Sequence, residues 1–196
     1  MKIAGIVLAG GQSRRFGEPK ALVKWNGKTF IEHSMEAMQA VTKDVVAISH
    51  PTIINELLHI VSIPVIEDIA MYKGDGPLAG LLTGMNYLHA DWYIVAPCDT
   101  PNISKQWARK MVSYINEDIE VIVPVIDGRK QPLLALYHCD VKEKIEYLLQ
   151  EEKRSVQQLL SQCHVRYVTV EESKLPKELF LNVNTKEEYS QLQKRK

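Results

Sequence analysis

The apolar positions of this chain fall into short unbroken runs separated by stretches of helical spacing. Ile3, Ala4, Ile6, Val7, Leu8 and Ala9 make the first run, which breaks at Gly10-Gly11. Similar runs recur at 45–48, 63–66, 92–96 and 120–125. Runs of this length bounded by turn residues read as strands buried on both faces. Between them the apolar residues sit three or four apart, as in Phe30, Ile31, Met35, Met38 and Val41, or Trp107, Ala108, Met111 and Ile115. Thr29 with Glu32 three residues on forms a capping-box pattern, and Ser104 is a helix cap. A short helix is expected at 53–60 and a longer one at 78–89, with the small residues Ala79, Gly80 and Gly84 allowing close packing. An extended piece at 22–25 closes on the turn Asn26-Gly27, and 71–77, with Gly74, Asp75, Gly76 and Pro77, reads as a loop.

This alternation predicts an α/β fold, a Rossmann-like three-layer α/β/α arrangement whose mostly parallel sheet carries helices on both faces. Beyond 125 the order changes. A turn at 128–131 leads to a strand at 133–137, helices at 140–149 and 155–160, and strands at 165–170 and 180–183. A helix begins at Thr185, and 193–196 is a charged, fraying tail. No repeat or long linker divides the chain, so one domain is expected over 1–196. Ligands of parallel sheets collect at the carboxyl ends of the strands. Here those ends carry Gly10-Gly11, Ser49-His50, Asp68 and Asp99.

Composition narrows the partners. The 24 basic and 24 acidic residues cancel, which argues against a nucleic-acid binder. No apolar run approaches the roughly 20 residues that span a bilayer, so no membrane partner is expected. Three widely spaced cysteines, Cys98, Cys139 and Cys163, lack metal-ligand spacing and fit reduced thiols in a cytoplasmic protein.

The chemistry concentrates in the first loop. Gly10-Gly11 lets backbone N–H groups approach an anion, and Arg14, Arg15 and Lys20 supply charge for phosphoryl chemistry. The loop is neither a dinucleotide fingerprint, lacking G-x-G-x-x-G, nor a P-loop, lacking G-K-[ST]. Alternatives remain at single positions. Asp99 between two prolines and Asp68 after its strand each also suit a turn cap, and Asp75 is most simply a turn residue. Gly76 and Gly80 suit close passage of a ligand. Asn182 and Asn184 would share one face of a short strand, and Cys98 reads as a small core filler.

The stretch Leu8-Ala9-Gly10-Gly11-Gln12-Ser13-Arg14-Arg15-Phe16-Gly17-Glu18-Pro19-Lys20 resembles the opening motif L-A-G-G-x-S-x-R-[FM]-G-x-x-K of nucleotidyltransferases with a glycosyltransferase-A-like, nucleotide-diphospho-sugar transferase-like fold. Three further stretches resemble the molybdenum cofactor guanylyltransferases within that group. They are Asp75-Gly76-Pro77-Leu78-Ala79-Gly80, Pro97-Cys98-Asp99-Thr100-Pro101 and Asn182-Val183-Asn184-Thr185-Lys186-Glu187-Glu188.

The resemblance implies transfer of GMP from GTP to molybdenum-molybdopterin with release of pyrophosphate, in the presence of Mg²⁺. It implies that Leu8, Ala9, Gly10 and Gly11 hold the nucleotide through their backbone and that Arg15 faces the triphosphate. Lys20 would contact the α-phosphate region, Asp68 the nucleotide, and Asp99 the metal. Gly76, Gly80, Asn182 and Asn184 would lie on the pterin side. Residues 1–100 would then be the nucleotide half and 101–192 the acceptor half, with molybdopterin-inserting and acceptor proteins as further partners. Two departures stand out: Ser49-His50 where relatives carry Asn, and Gln131-Pro132-Leu133-Leu134-Ala135 where they read P-T-x-A. A cytidylyl- or sugar-phosphate nucleotidyltransferase, or a non-catalytic binder of nucleotide or cofactor, is the alternative.

Overall fold

The computed structural model describes residues 1–11 and 16–194. In chain order its elements are β1 (Ile3–Ala9), the hairpin β2 (Lys24–Trp25) and β3 (Lys28–Thr29), α1 (Phe30–Met38), β4 (Val45–Ser49), α2 (Ile54–Leu58) and β5 (Val65–Ile66). Then come α3 (Pro77–Tyr87), β6 (Trp92–Pro97), α4 (Lys105–Val112), β7 (Val121–Ile126), β8 (Arg129–Lys130) and β9 (Leu136–His138). The chain closes with α5 (Val141–Gln150), α6 (Val156–Leu160), β10 (Val165–Thr169), α7 (Val170–Ser173) and α8 (Lys186–Gln193).

The main sheet runs β10-β7-β9-β6-β1-β4-β5, with β8 paired to β7. Strands β5, β4, β1 and β6 are mutually parallel, so their carboxyl ends share one edge. β9 lies antiparallel between β6 and β7, which turns β7 the same way as β6. Helices cover both faces, as the alternation predicts. One core packs α1 and α4 on the sheet through Ile31, Met35, Met38, Trp107 and Met111. The other packs α3, α5 and α6 through Leu78, Leu82, Met85, Ile145, Leu148 and Leu159. Burying each such side chain is worth about 1.5–3 kcal/mol. No helix among the described residues is long and apolar enough to cross a membrane.

Local signals act where expected. Thr29 and Glu32 form the capping box of α1, Thr185 and Glu188 that of α8, and Ser104 Oγ accepts the Trp107 N–H at the start of α4. Asn26-Gly27 and Asp127-Gly128 hold positive φ at both positions, the geometry of tight hairpin turns.

Several expectations fail. In the turn expected at 128–131, Arg129–Lys130 pair with β7 as β8, and the strand expected at 133–137 is confined to Leu136–His138. Residues 180–183 are not a strand: a 3₁₀ turn covers Lys177–Phe180, and Val183 N–H then bonds the Asp99 carbonyl in a loop rather than a ladder. Val170 starts α7 instead of ending a strand, because Thr169 Oγ1 accepts the Glu172 N–H and caps a helical turn. The helix from Thr185 extends to Gln193, the first residue expected in the tail, because Leu192 is buried beside it in a third apolar cluster. That cluster joins Leu192 to Phe16, Val23, Phe30 and Val183, with Trp25 and Tyr189 packed against it. The end of the chain therefore lies on its opening loop.

Gly84 shows how closely α3 meets the sheet: a Cβ there would stand 2.6–2.9 Å from three atoms of Ile6. Overpacking costs about 1–3 kcal/mol, against about 1 kcal/mol gained by replacing a helical glycine. Gly84→Ala is expected to lower the melting temperature by roughly 2–4 °C, with partial recovery on adding Ile6→Val. A variant that melts higher than the parent would contradict this packing.

Candidate active site

At the carboxyl edge of the parallel strands lies a cleft of about 680 Å³. Leu8, Ala9, Gly10 and Gly11 line it from the end of β1 and the residues after it, Ser49 and His50 from the end of β4, and Cys98 and Asp99 from just beyond β6. Asp68, Lys73, Gly76 and Gly80 enter from the loop after β5 and the start of α3, and Lys20 and Leu133 complete the wall. Nine residues singled out in the sequence thus meet in one cavity: Leu8, Ala9, Gly10, Gly11, Lys20, Asp68, Gly76, Gly80 and Asp99. Arg14 and Arg15 lie outside the described residues.

The polar centre is Asp99. Its Oδ2 accepts from Lys20 Nζ at 2.6 Å, and the same ammonium donates to Asn184 Oδ1 at 2.9 Å. Both members of the pair are mostly sheltered, with side chains 12% and 20% exposed. The other oxygen, Oδ1, is buried and has no hydrogen-bond partner among the described residues. A turn cap would spend its carboxylate on backbone N–H groups, and Asp99 spends neither oxygen so. An anionic oxygen held in this way suits a hard divalent cation. Backbone bonds fix the carboxylate in place: Cys98 N–H donates to the Leu8 carbonyl at 3.0 Å, and Val183 N–H to the Asp99 carbonyl at 2.8 Å. Burial, with the Asp99 carboxylate adding to it, pushes the Cys98 thiol up to about 12, so Cys98 is a filler and not a nucleophile.

The glycines divide by cause. A Cβ on Gly11 would meet nothing within 4 Å, and one on Gly10 only the His50 nitrogen at 3.9 Å. Among the described residues packing therefore requires neither glycine, and both line the cleft with backbone. Gly76 instead has φ +77°, which reserves the position for glycine before α3. At Gly80 a Cβ would press on Leu8 Cδ2 at 2.9 Å and approach Asp68 Oδ1 at 3.7 Å. Helix packing thus explains Gly80 without a ligand, and sets it beside residues expected on the nucleotide side rather than the pterin side.

The two asparagines part company. Asn184 reaches the centre through Lys20, whereas Asn182 accepts from the buried Thr100 hydroxyl at 2.8 Å and pins the last segment to β6. Neither lines the cleft. Asp75 pairs with Arg154 at 2.7 Å and tethers the loop ahead of α3 to the α5–α6 connection. His50 caps the following 3₁₀ turn, its Nδ1 lying 2.9 Å from Thr52 Oγ1. Leu133, in the stretch that departs from P-T-x-A, gives the cleft an apolar wall. Lys73 was not anticipated; it lines the cleft while paired with Glu67 at 2.7 Å, and its place just before Gly74-Asp75-Gly76 was the available signal.

The family description "MobA-like NTP transferase domain" matches residues 5–169. The probable molybdenum cofactor guanylyltransferase of Bacillus cytotoxicus is 58% identical over 190 residues, covering 97% of this chain and 96% of that protein. Its namesake in Bacillus cereus (strain ATCC 10987) is 56% identical over 193 residues, covering 98% and 96%. Two solved structures share the fold. Molybdopterin-guanine dinucleotide biosynthesis protein A from Archaeoglobus fulgidus superposes with TM-score 0.80 at 24% identity, over 100% of this chain and 98% of that one. A cytidylyltransferase from Leptospira borgpetersenii superposes with TM-score 0.73 at 16% identity, over 98% and 85%.

Asp68 offers a test independent of activity. Burial raises its carboxyl above the ordinary range, and the Gly74 N–H at 3.5 Å only partly opposes this. An acid with a raised folded-state value costs stability once it ionises, so the cost is absent at low pH and grows as pH rises through that value. Asp68→Asn is expected to melt above the parent at pH 7, with the gap closing as pH falls below about 4. A variant that melts lower at pH 7 would show that Asp68 is a structural cap.

Proposed function

We propose that this chain, which belongs to the MobA-like NTP transferase domain family, transfers GMP from GTP to molybdenum-molybdopterin and releases pyrophosphate. The observation that carries the transfer reading is the state of Asp99. One oxygen is held by Lys20 and the other is buried without a partner among the described residues, in a cleft that Gly10 and Gly11 also line. Acceptor and base are supported by the names of relatives similar over nearly the whole chain.

The residues divide the work as follows. Gly10 and Gly11 let the triphosphate approach bare backbone at the end of β1. Lys20, positioned by Asp99 and Asn184, holds its ammonium where negative charge grows on the α-phosphate. Asp99 Oδ1 would hold Mg²⁺, which takes few carboxylates and leaves the rest of its shell to phosphates and water. When bound, the ion supplies Lewis-acid polarisation of the α-phosphate and charge neutralisation on the leaving pyrophosphate.

A terminal phosphate oxygen of molybdopterin forms the new bond to the α-phosphorus as the bond to the β-phosphate bridging oxygen breaks. The departing pyrophosphate keeps that electron pair. The attacking phosphate is already anionic at neutral pH, so alignment matters more than a general base. Asp68 faces the cleft from the β5 side and contacts the nucleotide in this scheme, while Leu133 lines the opposite wall.

Purified protein with molybdopterin, Mg²⁺ and GTP should release pyrophosphate, with CTP and ATP much poorer donors. Binding of GTP without release would reduce the protein to a carrier, and preference for CTP would reassign the base. Asp99→Asn keeps an acceptor for Lys20 but loses the anionic oxygen. It should cut turnover by at least about a hundredfold with the melting temperature within a few degrees of the parent. Retained turnover would remove Asp99 from the site.

A further inference from the structure

The start of α8 touches the opening loop at two points. Asn184, just ahead of the helix, accepts from Lys20. Lys186, the first residue of α8, lays its side chain over Gly17: a Cβ on Gly17 would stand 3.7 Å from Lys186 Cε and 3.8 Å from its Nζ. The Lys186 ammonium therefore lies beside Gly17, three residues before Lys20.

Nothing local calls for a cation there. The amino end of a helix is its positive end and favours carboxylates over ammonium groups. Among the described residues no carboxylate lies within ion-pair distance of Lys186. The neighbouring acids are engaged elsewhere. Glu188 accepts the N–H groups of Asn184 and Thr185. The Glu187 carboxyl is held below its usual range by its own backbone N–H and by the Thr185 hydroxyl, with the Lys186 charge adding only the smallest part. Gly17 holds φ +86°, so the backbone under the ammonium stays bare. A cation at a positive helix end, in no ion pair among the described residues and beside Gly17 of the opening loop, is placed to receive an anion.

We propose that Lys186 is a further phosphate-binding residue, taking the β- and γ-phosphates that leave as pyrophosphate. This rests on the nucleotidyl-transfer reading above. Lys20 serves the Asp99 end of the triphosphate and Lys186 the end beyond Gly17, so the polyanion lies between two cations. Pyrophosphate presents the same oxygens before and after the Pα–O bond breaks. Lys186 therefore acts on binding of nucleotide and product more than on the chemical step.

Calorimetry with magnesium pyrophosphate tests this on the full chain, comparing the parent with Lys186→Gln and Lys186→Arg. Lys186→Gln should weaken binding roughly three- to fivefold, the size of one partly exposed charge contact. The arginine variant should bind like the parent, and the deficit should shrink in about 0.5 M salt. In transfer assays KM for GTP should rise by a similar factor while kcat changes less than about twofold. Equal affinity in parent and Lys186→Gln, or no pyrophosphate binding by the parent, overturns the assignment. Weakened pyrophosphate binding in a protein whose parent transfers nothing to molybdopterin would sustain Lys186 and reject the proposed function. A parent that transfers, with a Lys186→Gln variant indistinguishable from it, would do the reverse.

Discussion

The ammonium of Lys20 is shared between Asp99 and Asn184, at 2.6 and 2.9 Å, and this contact joins three distant parts of the chain. Its members lie 79 and 164 residues apart. The site therefore exists only once β1, β6 and the final segment have docked. Such a contact is a poor stabiliser. Sheltering two charges costs desolvation that their attraction only partly offsets, and removing one partner leaves the other stranded. Asp99 adds to that cost by keeping Oδ1 buried without a partner among the described residues. Strain of this sort persists where function requires it.

The surrounding structure works to hold that contact. Leu8 and Cys98 tie the ends of β1 and β6, and Val183 ties the last segment to the Asp99 carbonyl. Tyr189 donates its hydroxyl to the Lys24 carbonyl at 2.6 Å and sets its ring against Phe16 and Phe30. α8 is thereby fixed beside the opening loop, with Asn184 at its head. The loop after β5 is held more lightly, by Asp75–Arg154 and Lys73–Glu67 at the surface. Surface pairs contribute little, so this wall of the cleft yields more readily than the Lys20–Asp99 side when a ligand enters.

Much of this was legible in the sequence because it depends on local rules. Apolar runs gave β1, β4, β5 and β6, and the residues that close three of them placed Gly10, Asp68 and Asp99 on one edge. The capping box of Thr29 marked one helix start, and a second was expected at Thr185, where the structure shows a capping box as well. What sequence reading missed depends on contacts between distant residues. The segment with Asn182 and Asn184 alternates like a strand, yet it has no strand to pair with. One asparagine serves the Thr100 hydroxyl and the other Lys20. No local pattern shows that Gly80, which lines the cleft, also packs closely on Leu8. The placement of Lys73 and Leu133 on the cleft likewise follows from how loops fall over the sheet edge.

The central claim is that the α-phosphate of GTP is transferred and the other two leave together. Labelling answers this directly. The protein is incubated with molybdenum-molybdopterin and GTP carrying a radioactive phosphorus at either the α or the γ position, and the products are separated. α-Label should move into the pterin product, and γ-label should appear only in pyrophosphate. Label from the γ position in the pterin product, or in inorganic phosphate with none transferred from the α position, would contradict it.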